Sequence, residues 1–119
     1  MNHQNKRTKL NMKPAHRKAV LRNQVISLII NDTLTTTKAR AKEVQRFAEK
    51  LVTLAREGNT FNARRRAKAI LPYNDTALVK LFMEVAPRYV SRPGGYTRVL
   101  PIGRRLSDTA QMARLEWVM

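Results

Sequence analysis

Thr33-Leu34-Thr35-Thr36-Thr37, followed at once by Lys38-Ala39-Arg40-Ala41-Lys42-Glu43-Val44, is the stretch on which the fold class turns. The threonine run around Leu34 is β-branched, short and poor in helix formers, so it reads as a strand and not as the end of a preceding helix. Thr37 is placed to cap the next element. From Lys38 the apolar positions Ala41, Val44, Ala48, Leu51 and Ala55 recur at three-four spacing. Gly58 supplies a C-terminal stop, so the strand leads into a long helix of about 20 residues.

On the N-terminal side, Pro14 suits the first turn of a helix, and Leu21, Val25, Leu28 and Ile29 recur at helical spacing with Arg17, Lys18 and Asn31 off that stripe. The pattern predicts a helix over 14–31. Residues 1–13 offer only Met1, Leu10 and Met12 as apolar side chains, too few to offset the entropy of ordering, and read as a basic tail that is disordered alone and fixed against a polyanion. On the C-terminal side, residues 60–71 read as a shorter helix with Ala63, Ala67 and Ile70 inward and Arg64 to Arg66 outward, stopped by Pro72. Asn74 or Asp75 then caps a fourth helix with Leu78, Leu81, Phe82 and Val85 as its buried stripe, ended by Pro87. A Pro/Gly-rich loop at 91–95 precedes two strands, Tyr96–Ile102 and Ala113–Val118, joined by a long connection at 103–112. In the second, Ala113, Leu115 and Trp117 alternate with Arg114, Glu116 and Val118. Pro101 removes a ladder donor, so its strand is expected to lie at an edge or to bulge there.

The order helix, strand, three helices, two strands describes an α+β fold: two layers, helices packed on a small sheet, preceded by a basic tail. A 119-residue chain with 43% apolar residues suits a single domain, 14–119, that buries about two thirds of its unfolded surface.

Charge is distributed unevenly along this frame. Residues 1–31, 58–74 and 85–107 contain no Asp or Glu, and they hold sixteen Lys and Arg, which equals the formal net charge of +16. Elsewhere eight bases offset eight acids, giving a neutral scaffold and three cationic surfaces. Like charges at this density repel one another unless a polyanion neutralises them, and nucleic acid is the leading candidate. Eleven of the sixteen are Arg, whose planar fork fits phosphate oxygens and stacks on bases. A solvated basic surface without a specific ligand and an anionic membrane surface are the competing readings.

Catalysis finds little support. There is no Cys, and His3 and His16 are too few to hold a metal unaided, so neither a metal nor another cofactor is expected. The acids fall singly beside bases, as Glu43 does between Lys42 and Arg46, which is how solvated helix faces look. His16 beside Arg17 suits a phosphate or backbone contact better than a general base. The longest apolar runs, such as Leu28 to Ile30, are far short of a membrane span, and the basic N-terminus lacks the apolar stretch of a secretory signal. A DNA-binding reading, nucleoid or helix-turn-helix-like, fits the turn Glu57 to Asn59 and the arginine helix after it, but the preceding helix is too long and two basic windows are left unexplained.

The most distinctive local sequence is Ser91-Arg92-Pro93-Gly94-Gly95-Tyr96-Thr97-Arg98. Adjacent glycines permit a sharp turn or close approach to a phosphate, Arg88, Arg92 and Arg98 supply charge, and Tyr96 offers a stacking face or else a core side chain. This run resembles the signature of the bacterial-type large-subunit ribosomal protein seventeen family. His16-Arg17, Leu21-Arg22-Asn23, Ser27-Leu28, Ala41-Lys42-Glu43, Ala48-Glu49-Lys50-Leu51 and Lys80-Leu81-Phe82 follow in the family's order, so the resemblance spans Leu10 to Val118. It implies a structural, non-catalytic protein of the large ribosomal subunit, in the cytoplasm of a bacterium or in an organelle. It further implies binding to large-subunit ribosomal RNA near the outer end of the peptide exit tunnel, with protein thirty-two of the same subunit as a neighbour. The candidate RNA contacts are Lys6, Arg7, Lys9, Lys13, His16, Arg17, Lys18 and Arg22 in the tail and first helix. In the domain they are Arg64, Arg65, Arg88, Arg92, Gly94, Gly95, Tyr96, Arg98, Arg104 and Arg105.

Overall fold

The computed structural model describes residues 10, 12–72 and 74–118. Lys6, Arg7 and Lys9, with most of the tail read for 1–13, lie outside the described residues. The elements follow the expected order: α1 (Pro14–Asn31), β1 (Thr33–Thr37), α2 (Lys38–Ala55), α3 (Phe61–Ile70), α4 (Asp75–Lys80), β2 (Thr97–Arg104) and β3 (Gln111–Trp117).

Helix α2 is the centre of the packing. Its stripe of Ala41, Val44, Ala48, Leu51, Val52 and Ala55 is buried, and it touches α1, α3 and all three strands. Small residues at Ala41, Ala48 and Ala55 let the neighbours come close, while Val44, Leu51 and Val52 fill the gaps between them. The expected Thr37 cap is not made: its backbone is extended as a cap requires, but its side chain accepts no helix N–H. Thr60 and Asn74 do cap, accepting from Ala63 N at 3.2 Å and Ala77 N at 3.0 Å.

Helix α1 buries Val25, Leu28 and Ile29 and ends at Asp32, whose φ of 66° turns the chain into β1. Asp tolerates this left-handed conformation better than most residues. Lys80 from α4 closes the junction, donating to Ile30 O at 2.8 Å and meeting Asp32 Oδ1 at 3.3 Å. A cation there satisfies a terminal carbonyl and favours the negative end of the helix dipole.

Pro87 does not end the fourth helix as expected. After Lys80 the path continues as a π-helical turn, Leu81–Val85, and a 3-10 turn, Ala86–Tyr89. Pro87 falls in the first turn of that last segment, where its missing N–H removes no bond. Leu78, Leu81, Phe82 and Val85 are all buried, as their spacing predicts.

The sheet is antiparallel in the order β1-β3-β2, with Leu34 and Val99 both opposite Leu115. Ala113, Leu115 and Trp117 face the helices, so the alternation read from the sequence holds. β2 is an edge strand, and its register skips Ile102 between Pro101 and Gly103, so Pro101 sits at both an edge and a bulge. The connection to β3 is shorter than expected, residues 105–110, because both strands extend further than their apolar pattern shows.

Leu51 is 1% exposed at the centre of this packing. Leu51→Ala is expected to lower the unfolding free energy by about 2–5 kcal/mol, read as a shift in the urea midpoint at unchanged slope. The same truncation at the exposed neighbour Lys50 should stay within about 0.5 kcal/mol.

Candidate nucleic-acid interface

The predicted cations fall into groups that the fold treats differently. Lys13, just before α1, and His16 and Lys18 on it are exposed, and Arg17 and Arg22 are half-buried. Lys18 was expected off the apolar stripe, yet it lies two turns before Val25, as Arg22 does before Ile29. The stripe that packs in the second half of α1 therefore turns cationic in the first half.

On α3 the arginines 64, 65 and 66 are all exposed while Ala63 and Ala67 face the core. None of the three has a carboxylate within ion-pair distance among the described residues. Arg66, outside the predicted set, is exposed as Arg64 and Arg65 are. Lys68 one turn further on is instead held by Asp75 at 3.6 Å.

The 3-10 turn and the glycine loop bring Arg88 and Arg92 together around an open cleft of about 480 Å³, lined also by Tyr89, Ser91, Pro93 and Val118. The loop is tied through the backbone of Arg92. Its carbonyl accepts from the Arg56 guanidinium at the end of α2, and its N–H donates to Tyr89 O at 3.0 Å. The Arg92 side chain is left exposed. Tyr89 forms the floor, donating from its hydroxyl to Val118 O at 2.7 Å. Burial pushes that hydroxyl up from the usual tyrosine value, against the opposing pull of Arg88 and Arg92, so it remains a donor at neutral pH.

Gly94 and Gly95 have φ of 141° and 64°, conformations that side chains disfavour, and a Cβ at either would meet no atom within 4 Å. They are glycines because the chain turns there. Tyr96 corrects an expectation: it is 1% exposed and offers no face to a base. Its ring lies 5.2 Å from that of Tyr89, and its hydroxyl shares a hydrogen bond of 3.2 Å with Thr53. The glycine turn delivers it into the core, where it anchors the loop. Just beyond, α2 holds the start of β2: Glu49 accepts from Thr97 N and Oγ1 at 3.3 and 3.2 Å, and Gln45 donates to Thr97 O at 3.2 Å.

Two other predicted contacts are already paired within the chain. Arg98 meets Glu116 through Nε at 2.7 Å and Nη2 at 2.6 Å, and the same carboxylate reaches Arg114 at 3.6 Å. Arg114, read as part of the neutral scaffold, thus joins Arg98 on the outer face of the sheet. Arg105 grips Asp108 with both prongs, at 2.9 and 2.6 Å, inside the hairpin loop. Arg104 next to it is exposed and has no such partner among the described residues. The neutral scaffold is therefore partly wrong in detail, because Lys68, Arg98 and Arg105 come from the acid-free windows and bind acids from outside them. Sequence proximity hinted only at Arg105–Asp108.

Among the described residues no group of three His, Cys, Asp or Glu is placed to hold a metal ion, and no helix is long and apolar enough to cross a membrane. The surface is one of guanidinium and ammonium groups.

The Arg105 hydrogen bond, aided by the Ala110 N–H, lowers the Asp108 carboxyl to about 2 from 3.8. A lowered folded value means the loop contact is complete above the ordinary carboxylate value and is lost as pH falls toward 2. A carboxyl-carbon NMR titration should show this low midpoint, and Arg105→Gln should return it toward 3.8.

The family described as ribosomal protein L17 matches residues 20–118. A large ribosomal subunit protein bL17 of Akkermansia muciniphila is 46% identical over 116 residues, covering 98% of this chain and 84% of that protein. The bL17 of Desulforudis audaxviator is 49% identical over 110 residues, 92% of this chain and 96% of its own. That of Acholeplasma laidlawii is 50% identical over 107 residues, 86% and 89% of the two chains. With nearly the whole described domain matched at this level, the chain belongs to the ribosomal protein L17 family.

Proposed function

We propose that this chain, a non-enzymatic structural constituent of the large ribosomal subunit, works by neutralising phosphates of large-subunit ribosomal RNA where RNA segments converge, and by fixing their relative position. The observation that carries this reading is the set of arginines held on firm elements without a carboxylate partner: Arg64, Arg65, Arg88, Arg92 and Arg104. A guanidinium with no carboxylate to compete for it and a backbone already ordered loses little entropy on meeting a phosphate. Lys13, His16, Arg17, Lys18 and Arg22 extend the surface along α1, and Lys6, Arg7 and Lys9 of the basic segment before it are further phosphate contacts. The open space over Gly94 and Gly95 leaves room for a sugar-phosphate backbone beside Arg92.

Family membership supports the finer placement: near the outer end of the peptide exit tunnel, beside protein thirty-two of the same subunit, in the bacterial cytoplasm. No observation favours duplex DNA as the ligand.

The protein should co-sediment with large subunits through a high-salt wash, and a protein that washes off and is retained by duplex DNA would sink the ribosomal reading. With purified large-subunit RNA in filter binding, Arg92→Ala should weaken binding and reduce the slope against log salt by about 1. Arg98→Ala should change that slope less, since Glu116 already holds its guanidinium. Deleting residues 2–13 should leave the circular dichroism and thermal midpoint of the domain intact while lowering the subunit-bound fraction.

A further inference from the structure

An apolar recess of about 360 Å³ lies between α3 and the helical path from α4 into the π turn. Leu78 and Phe82 form its floor, and Val79 and Met83, one turn apart, stand along it 60% and 62% exposed. Arg64 and Lys68 line the opposite wall from α3. Phe61, 70% exposed, precedes Arg64 on the same helical stripe. The Lys68–Asp75 pair ties the two walls, which leaves Arg64 as the wall's cation without an acid among the described residues. The core takes Leu78 and Phe82 but leaves Val79 and Met83 outside, so the apolar side chains of this segment are not all consumed in folding.

We propose that this groove docks an acidic amphipathic segment of a partner protein, its apolar side chains seated between Val79 and Met83 and its carboxylate on Arg64. Charge selects the occupant. A segment bearing Asp or Glu complements Arg64 and the formal charge of +16. A second copy brings the same charge, and a two-fold contact would set the two cationic rims together. RNA can reach Arg64 from the rim, but the floor of Leu78 and Phe82 offers its phosphates nothing to bind, and helix rotation carries Arg65 and Arg66 away from the stripe of Arg64. A bilayer would take the protruding Phe61, Val79 and Met83 but would leave the recess over Leu78 and Phe82 unfilled.

The inference goes beyond RNA binding and is tested apart from it. A photoreactive benzoylphenylalanine replaces Met83 of the full chain in living cells, and the irradiated adduct is sequenced by mass spectrometry. The expected product is one protein segment with apolar residues at three-four spacing beside Asp or Glu. Val79→Asp, which replaces no candidate RNA contact, and Arg64→Glu should each cut the adduct about tenfold after normalisation to the subunit-bound fraction. An adduct to RNA, to lipid or to a second copy, a protein segment without acids, no adduct, or a yield indifferent to both substitutions overturns the proposal. Co-sedimentation is read on the same cells: a subunit-bound protein with an RNA adduct sinks the docking groove alone, and a protein found off the subunit sinks the ribosomal reading alone.

Discussion

Eight carboxylates face twenty-four Lys and Arg in this chain, and the placement of those few acids governs which cations stay free. Most sit where two elements meet. Asp32 takes Lys80 where α1 ends against α4, Glu49 holds the first residue of β2 against α2, and Asp75 joins α4 to α3 through Lys68. Glu116 gathers Arg98 and Arg114 across β2 and β3, and Asp108 closes the hairpin loop with Arg105. Exposed ion pairs contribute about 0–1 kcal/mol each, so the buried stripe of α2 supplies the stability. The acids act instead as locators, and the arginines they leave over become the outer surface.

Local pattern carried most of the fold because its cues are short in range. The threonine run, the three-four spacing of Ala41 to Ala55 and the alternation of Ala113 to Trp117 each need only a few neighbours to be read. The continuation past Pro87 escaped because a proline tolerated in a new first turn looks the same as a proline that stops a helix. Strand ends were missed where exposed residues, Gly103, Arg104 and Gln111, pair by backbone alone.

The site was legible in kind more than in detail. Charge counting locates cations along the chain, but it does not show that Arg98 faces Glu116 across a ladder or that Arg114 shares the carboxylate. The first of those contacts joins residues 18 positions apart through a register that local pattern leaves open. Tyr96 is the sharpest case. Its flanking glycines and arginines suit an RNA-stacking residue, yet the turn they form points the ring inward to Tyr89 and Thr53. Its contribution to the loop is to hold Arg92 in place from behind.

Helix α3 gathers these themes into ten residues. With about 100° between successive side chains, Ala63 and Ala67 take the core, Arg64 and Lys68 line the groove, and Arg65 and Arg66 turn to the outside. Three arginines in a row on so short a helix repel one another, and no acid occupies its first turn, so the Thr60 cap and two buried alanines carry its local stability. A longer helix would set the arginines on a broader face, and a shorter one would lose the alanine pair. At this length one element presents three chemically distinct sides, and the core contact that orients one of them orients all three.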